Sequence, residues 1–245
     1  MSQSQSQSVV APGKRWPWLE TAAFVAPLVV HMLLPSIVGA FFAEGDSWEK
    51  FVATMGVQLF WGVGLLLFFR STYLSHFRFR VSWLAIPIGI VGFLAWVGIC
   101  HLNPERSLLS LVGLENLIPS RAGVDPFTEF TGSQQVTFLV MRFTILALLV
   151  PLVEELFLRG WLIRWIQDVD WTSVRITDLG FRALLVPCIY GALTHPEILA
   201  AVVWFGAVTW LMVKTKSIWS CVVAHMITNL LLGLYVVQTG NWELW

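Results

Sequence analysis

The sequence predicts an all-α, polytopic transmembrane bundle of about seven helices, and three observations carry that prediction. Hydrophobic residues make up 57% of the 245 and charged residues only 12%, with a mean hydropathy of +0.73; a water-soluble domain needs far more polar surface. The apolar residues fall in runs close to the 20 or so that a bilayer crossing requires. The basic residues gather in the gaps between alternate runs, as the positive-inside bias demands.

The stretch 1–16, MSQSQSQSVVAPGKRW, is polar and of low complexity, and is expected to be a disordered cytoplasmic N-terminus. No short apolar region with a small-residue cleavage site follows it, so the first run reads as an anchor that stays. Seven runs are expected to form helices, at 18–42, 52–69, 83–101, 135–158, 180–195, 197–213 and 217–237. The fourth and seventh are the clearest. Only His195-Pro196-Glu197 divides the fifth from the sixth, and proline disfavours a continuous helix there, leaving a tight turn or a break.

Lys14 and Arg15, then Arg70, Arg78 and Arg80, then Arg159 and Arg164, then Lys214 and Lys216 all fall on one side if the N-terminus is cytoplasmic. The opposite loops carry Glu44, Asp46, Glu49 and a mixed stretch, 103–134, whose segment ERSLLSLVGLENLI has the pattern of a short interfacial helix. Fourteen tryptophans, many near the ends of runs, fit interfacial belts. With no internal repeat, 17–245 reads as a single membrane domain.

Zero formal net charge gives no argument for a nucleic acid or an acidic partner. The expected partners are the lipid bilayer and a membrane-associated protein or peptide, and no oligomeric state is indicated. Cys100, Cys188 and Cys221 are odd in number and sit in apolar runs, which reads as buried free thiols.

Against this background the fourth run stands out: LALLVPLVEELFLRGWLI carries Glu154, Glu155 and Arg159. Ionisable groups at membrane depth cost roughly 2.5–3.5 kcal/mol each on insertion scales and read by default as functional. Glu155 and Arg159 are four apart, share a helix face and can pair. Glu154 points about 100° away, toward a different neighbour. His225 and Asn229, also four apart, share a face of the last run, where an imidazole and an amide can serve a developing oxyanion. His195 adds a second imidazole. Two carboxyls, two imidazoles and an amide suffice to activate water and hydrolyse an amide without a serine or cysteine nucleophile.

Other uses of the same residues stay open. Glu155 with Arg159 also suits a structural ion pair, His225 with Asn229 an interhelical hydrogen-bonding pair worth about 0.6 kcal/mol, and His195 a turn histidine. A non-enzymatic immunity or scaffold protein, or a transporter with proton-relay carboxylates, would use them so. His31, His76 and His101 have no partners at catalytic spacing. Two histidines and a glutamate from three runs also suit zinc, but HExxH is absent. So is a Gly-x-Ser-x-Gly elbow. The expected chemistry uses no metal and no cofactor.

At these residues the chain resembles the CPBP family, the membrane proteases related to the CAAX prenyl endopeptidase and also called Abi proteins. The family's EExxxR motif stands here as Glu154-Glu155-Leu156-Phe157-Leu158-Arg159, followed by Gly160, and HxxxN as His225-Met226-Ile227-Thr228-Asn229. The middle motif, FxxxH, reads Tyr190-Gly191-Ala192-Leu193-Thr194-His195, with tyrosine for phenylalanine and one residue too many. The resemblance covers about 135–237, a protease-like core. It implies an intramembrane glutamic endopeptidase: Glu154 the general base, Glu155 its support held by Arg159, His195 positioning water, and His225 with Asn229 stabilising the oxyanion. The VEELFLRG context is also similar to a bacterial subgroup associated with exosortase protein sorting, which implies the inner membrane and a membrane-anchored rather than prenylated substrate. One expectation cuts across this. Counted from Gly180, His195 lies 15 residues, roughly 22 Å, along the fifth run, toward the face opposite the glutamates.

Overall fold

A computed structural model describes residues 17–43, 47–113 and 123–244. Seven principal helices occupy the seven runs: α1 (Pro17–Gly39), α2 (Ser47–Phe68), α3 (Ala85–Leu102), α4 (Ser133–Gln167), α5 (Phe181–Thr194), α6 (Ile198–Thr215) and α7 (Ile218–Thr239). Among the described residues, all but α5 are long and apolar enough to cross a bilayer, and the chain is an integral membrane protein. Helices are what lipid dictates, since a spanning segment must satisfy its own backbone. The readings placed on 1–16, on Glu44 and Asp46, and on the end of the ERSLLSLVGLENLI segment lie outside the described residues; its start is a short helix, Pro104–Ser110.

Local chemistry sets the helix ends. Ser217 caps α7, its hydroxyl accepting the Ser220 N–H at 3.2 Å, and Gly240 closes it at φ 74°. Helix α5 stops at Thr194 because His195 precedes Pro196 and takes the extended conformation that a proline imposes on its predecessor (φ −122°, ψ 136°). The link to α6 is therefore a tight turn, and α5 is only 14 residues long.

Helix α4 departs most from expectation. It runs past 158 to Gln167 and contains two π-helical stretches, Thr144–Leu149 and Leu156–Leu162. Arg159 and Arg164, read as flanking charges, are both buried in the protein. The helix continues through them because each is paired: Arg159 with Glu155, and Arg164 with the carbonyls of Val174, Gly160 and Thr172 at 2.8–3.2 Å.

Helix α7 packs against α3, α4 and α6, and α1 packs against α2 and α4. Close approach is bought with glycine: at Gly89 a Cβ would lie 2.8 Å from the Ala224 carbonyl, where Thr228 donates to the Gly89 carbonyl at 2.8 Å. The tryptophans are not all interfacial. Trp96 and Trp204 are buried between α3 and α6, while Trp18 and Trp83 are exposed. Cys221 is fully buried, Cys100 and Cys188 partly so, and all three are free thiols.

At one end of the bundle the segments following α2, α4 and α6 meet. Ser217 donates to the Arg80 carbonyl, the Ser82 N–H donates to Ser220 at 2.9 Å, and Trp219 donates to the Phe77 carbonyl at 3.1 Å. Arg78, Arg80, Arg164 and Lys216, which the charge pattern set on one side, thus gather around one cleft, and Arg175 joins them there.

Candidate active site

Glu155 and Arg159 form the centre of a dry network. Both have zero exposure, and Arg159 Nη1 lies 2.5 Å from Glu155 Oε2. The other guanidinium arm donates to the Phe205 carbonyl at 3.2 Å and to Thr209 Oγ1 at 3.3 Å, on α6. Glu155 Oε1 meets His225 Nδ1 at 3.0 Å, on α7. The Glu155 carboxylate therefore joins α4 to α7, while Arg159, which it holds, reaches α6. The carboxylate accepts from both neighbours, so His225 carries its proton on Nδ1 and turns Nε2 outward.

Glu154 faces the other way, as the 100° offset required. It lines a cavity of about 390 Å³ together with His195, His225 and Asn229. Tyr190, on α5, donates to Glu154 Oε1 at 3.3 Å. His225 Nε2 stands 4.0 Å from Glu154 Oε2, too far for a direct bond and a spacing one water can bridge. Trp204 sets its edge against the His225 ring at 5.6 Å, and Trp96 and Phe205 do the same to His195. Asn229 donates from Nδ2 to the Leu146 carbonyl at 2.7 Å, which leaves its second N–H and its oxygen for the cavity.

The six residues singled out from the sequence thus separate into two sets. Glu154, His195, His225 and Asn229 share the cavity wall; Glu155 and Arg159 lie behind it. The count along the fifth run put His195 toward the face opposite the glutamates; in the structure His195 and Glu154 nonetheless line one cavity. His195 Nδ1 is occupied locally, near Thr194 Oγ1 (2.9 Å) and the Gly191 carbonyl (3.3 Å). The middle motif's tyrosine is the residue that donates to Glu154.

Sequence reasoning missed Thr209, Trp96, Trp204 and Arg142, which also lines the cavity. A lone threonine or tryptophan in an apolar run carries no signal of its own. Among the described residues no three His, Cys, Asp or Glu side chains converge in metal-ligand geometry.

Comparison with known proteins gives one match. The family model described as type II CAAX prenyl endopeptidase Rce1-like matches residues 136–231, less than half of the chain but the part holding all six residues singled out from the sequence. The CPBP resemblance is borne out over that stretch. No curated protein and no solved structure matches the chain.

Proposed function

We propose that this Rce1-like chain is an intramembrane endopeptidase that hydrolyses a peptide bond of a membrane-associated protein with water activated by Glu154. The observation that carries the reading is the division of labour between adjacent glutamates. Glu154 opens onto a cavity shared with two imidazoles and an amide, while Glu155 is sealed against Arg159. A merely structural pair of carboxylates has no need of a polar cavity at membrane depth.

In the scheme, a water sits between Glu154 and the cavity-facing imidazoles. Glu154 takes its proton as the hydroxide adds to the scissile carbonyl carbon, and later delivers that proton to the leaving amine. Tyr190 orients the carboxylate. His195 positions the water from the α5–α6 turn. The second N–H of Asn229 donates to the oxyanion, and so does His225 Nε2 when the imidazole is doubly protonated, with Glu155 as its counter-charge. Arg159 acts only through Glu155, by fixing it. No resident metal enters the scheme.

The substrate class we favour is a membrane-anchored protein of a bacterial inner membrane, with the N-terminus of this chain cytoplasmic. The test compares membrane proteomes of cells carrying the native protein or Glu154→Gln at equal abundance. Precursors accumulating only in the variant support the proposal and name the substrate, prenylated or not. Identical proteomes, with the variant still complementing a deletion, reject it. A scaffold is the second reading, because the Arg159–Glu155–His225 network joins α4, α6 and α7; it predicts tolerance of Glu154→Gln.

A further inference from the structure

The Leu146 carbonyl should not need Asn229. Inside a helix a carbonyl takes an N–H from its own chain, four residues on in an α turn or five in a π turn. In α4 the Val150 N–H reaches back five residues to Ile145, so the ladder here is in π register. The next rung pairs the Leu146 carbonyl with the N–H of residue 151. Residue 151 is proline and has none. The carbonyl so orphaned is the one that Asn229 Nδ2 meets at 2.7 Å.

We infer that Pro151 is a positioning residue for Asn229: by withholding one N–H it creates the acceptor that pins the amide, and the pinned amide aims its second N–H into the cavity. An acceptor on one side also fixes which end of the Asn229 side chain is nitrogen, so the amide cannot flip and present oxygen to a developing negative charge. The arrangement needs both the π register and the proline. In α register Val150 would satisfy Leu146, and with any other residue at 151 the π ladder would.

The stability part of this inference is independent of the peptidase reading; its effect on turnover rests on that reading. A double-mutant cycle on the full-length protein in detergent separates the two. In the native background Asn229→Ala strands the Leu146 carbonyl and lowers the melting temperature. With Pro151→Ala the new N–H can bond that carbonyl, so Asn229→Ala should cost half as much or less. Equal losses in both backgrounds overturn the inference. On a substrate found by the proteome comparison, Pro151→Ala alone should reduce kcat by about tenfold or more with KM little changed, and should cost nothing further once Asn229 is alanine. If no substrate is cleaved, the melting cycle still decides the Pro151–Asn229 coupling.

A different observation carries a second proposal. The cleft of about 510 Å³ where three loops meet is lined by Arg78, Arg80, Arg164, Arg175 and Lys216, and among the described residues no carboxylate lines it. Arg164 is spent on three carbonyls and Arg175 pairs with Asp178 at 2.9 Å. Arg78, Arg80 and Lys216 make no ion pair among the described residues. Phe79 and Trp83 are exposed beside them at the end of the bundle, where interfacial aromatics anchor a protein in lipid. The geometry points to a site for the phosphate of an anionic phospholipid headgroup. Phosphatidylglycerol added to the detergent-solubilised protein should raise its melting temperature more than phosphatidylcholine does, and the triple variant Arg78→Gln, Arg80→Gln, Lys216→Gln should lose that difference. Retention of the difference by the variant, or an equal response to inorganic phosphate, overturns the lipid assignment.

Discussion

Glu154 and Glu155 differ in nothing but surroundings, so substitution at each should fail in a different way. Glu154→Gln keeps shape and removes the base; turnover should fall by about 10²–10⁴-fold, with the melting temperature held. Glu155→Gln leaves Arg159 buried without its counter-charge, and breaking such a pair costs about 3–5 kcal/mol. Its signature is lost thermal stability in detergent, before any assay of cleavage. The reverse pattern would exchange the roles given to the two carboxyls. Tyr190→Phe removes one hydrogen bond to Glu154, worth about 1 kcal/mol; a several-fold drop in kcat is expected, with melting lowered by no more than about 2–4 °C. The Glu155–Arg159 pair was legible in the sequence because four-residue spacing brings side chains together on any helix. The contact between Asn229 and Leu146 was not, since the 3.6-residue period from which faces are read contains no hint of a π turn, and Pro151 betrays its effect only once the register is known.

At the level of elements, α5 and α6 are held so close that one methyl group should disturb the site. A Cβ at Gly191 would lie 2.4 Å from the Phe205 ring. Phe205 offers its carbonyl to Arg159 and its ring edge to His195, so Gly191→Ala should lower both stability and turnover. A Cβ at Gly64, in α2, would meet nothing within 4 Å. Gly64→Ala should be neutral or stabilising by up to about 0.5–1 kcal/mol, since alanine suits a helix interior better. Melting curves of the pair check this, and equal behaviour would count against the packing described. That α5 ends at Thr194 could be seen in Pro196. That this end would share a cavity with Glu154 could not, because a cavity walled by several helices is set by how they pack and not by position along one run.

For the whole molecule, the gathering of the loops after α2, α4 and α6 at one end has a direct readout. Single cysteines placed at Arg78, Thr172 and Lys216 in a variant lacking the three native thiols should all react with a membrane-impermeant maleimide from the same side. Labelling from both sides would contradict the bundle. The count of runs and the sidedness of charge were enough to foresee this arrangement. The cavity was foreseen only as a gathering of polar residues, since its walls include tryptophans whose burial depends on which helices become neighbours.

Helix α5 also sets a length problem. Fourteen residues rise about 21 Å, against a hydrocarbon layer of about 30 Å. A shortfall of that size is met by a locally thinner bilayer, or by solvent reaching down to the truncated end. That end carries His195 and adjoins the cavity, so hydrophobic mismatch would bring water within reach of the Glu154 carboxylate without any channel being built for it. Hydrolysis in proteoliposomes should then slow as acyl chains lengthen, while the protein stays folded, and bilayer thickness becomes a control on the rate of the reaction.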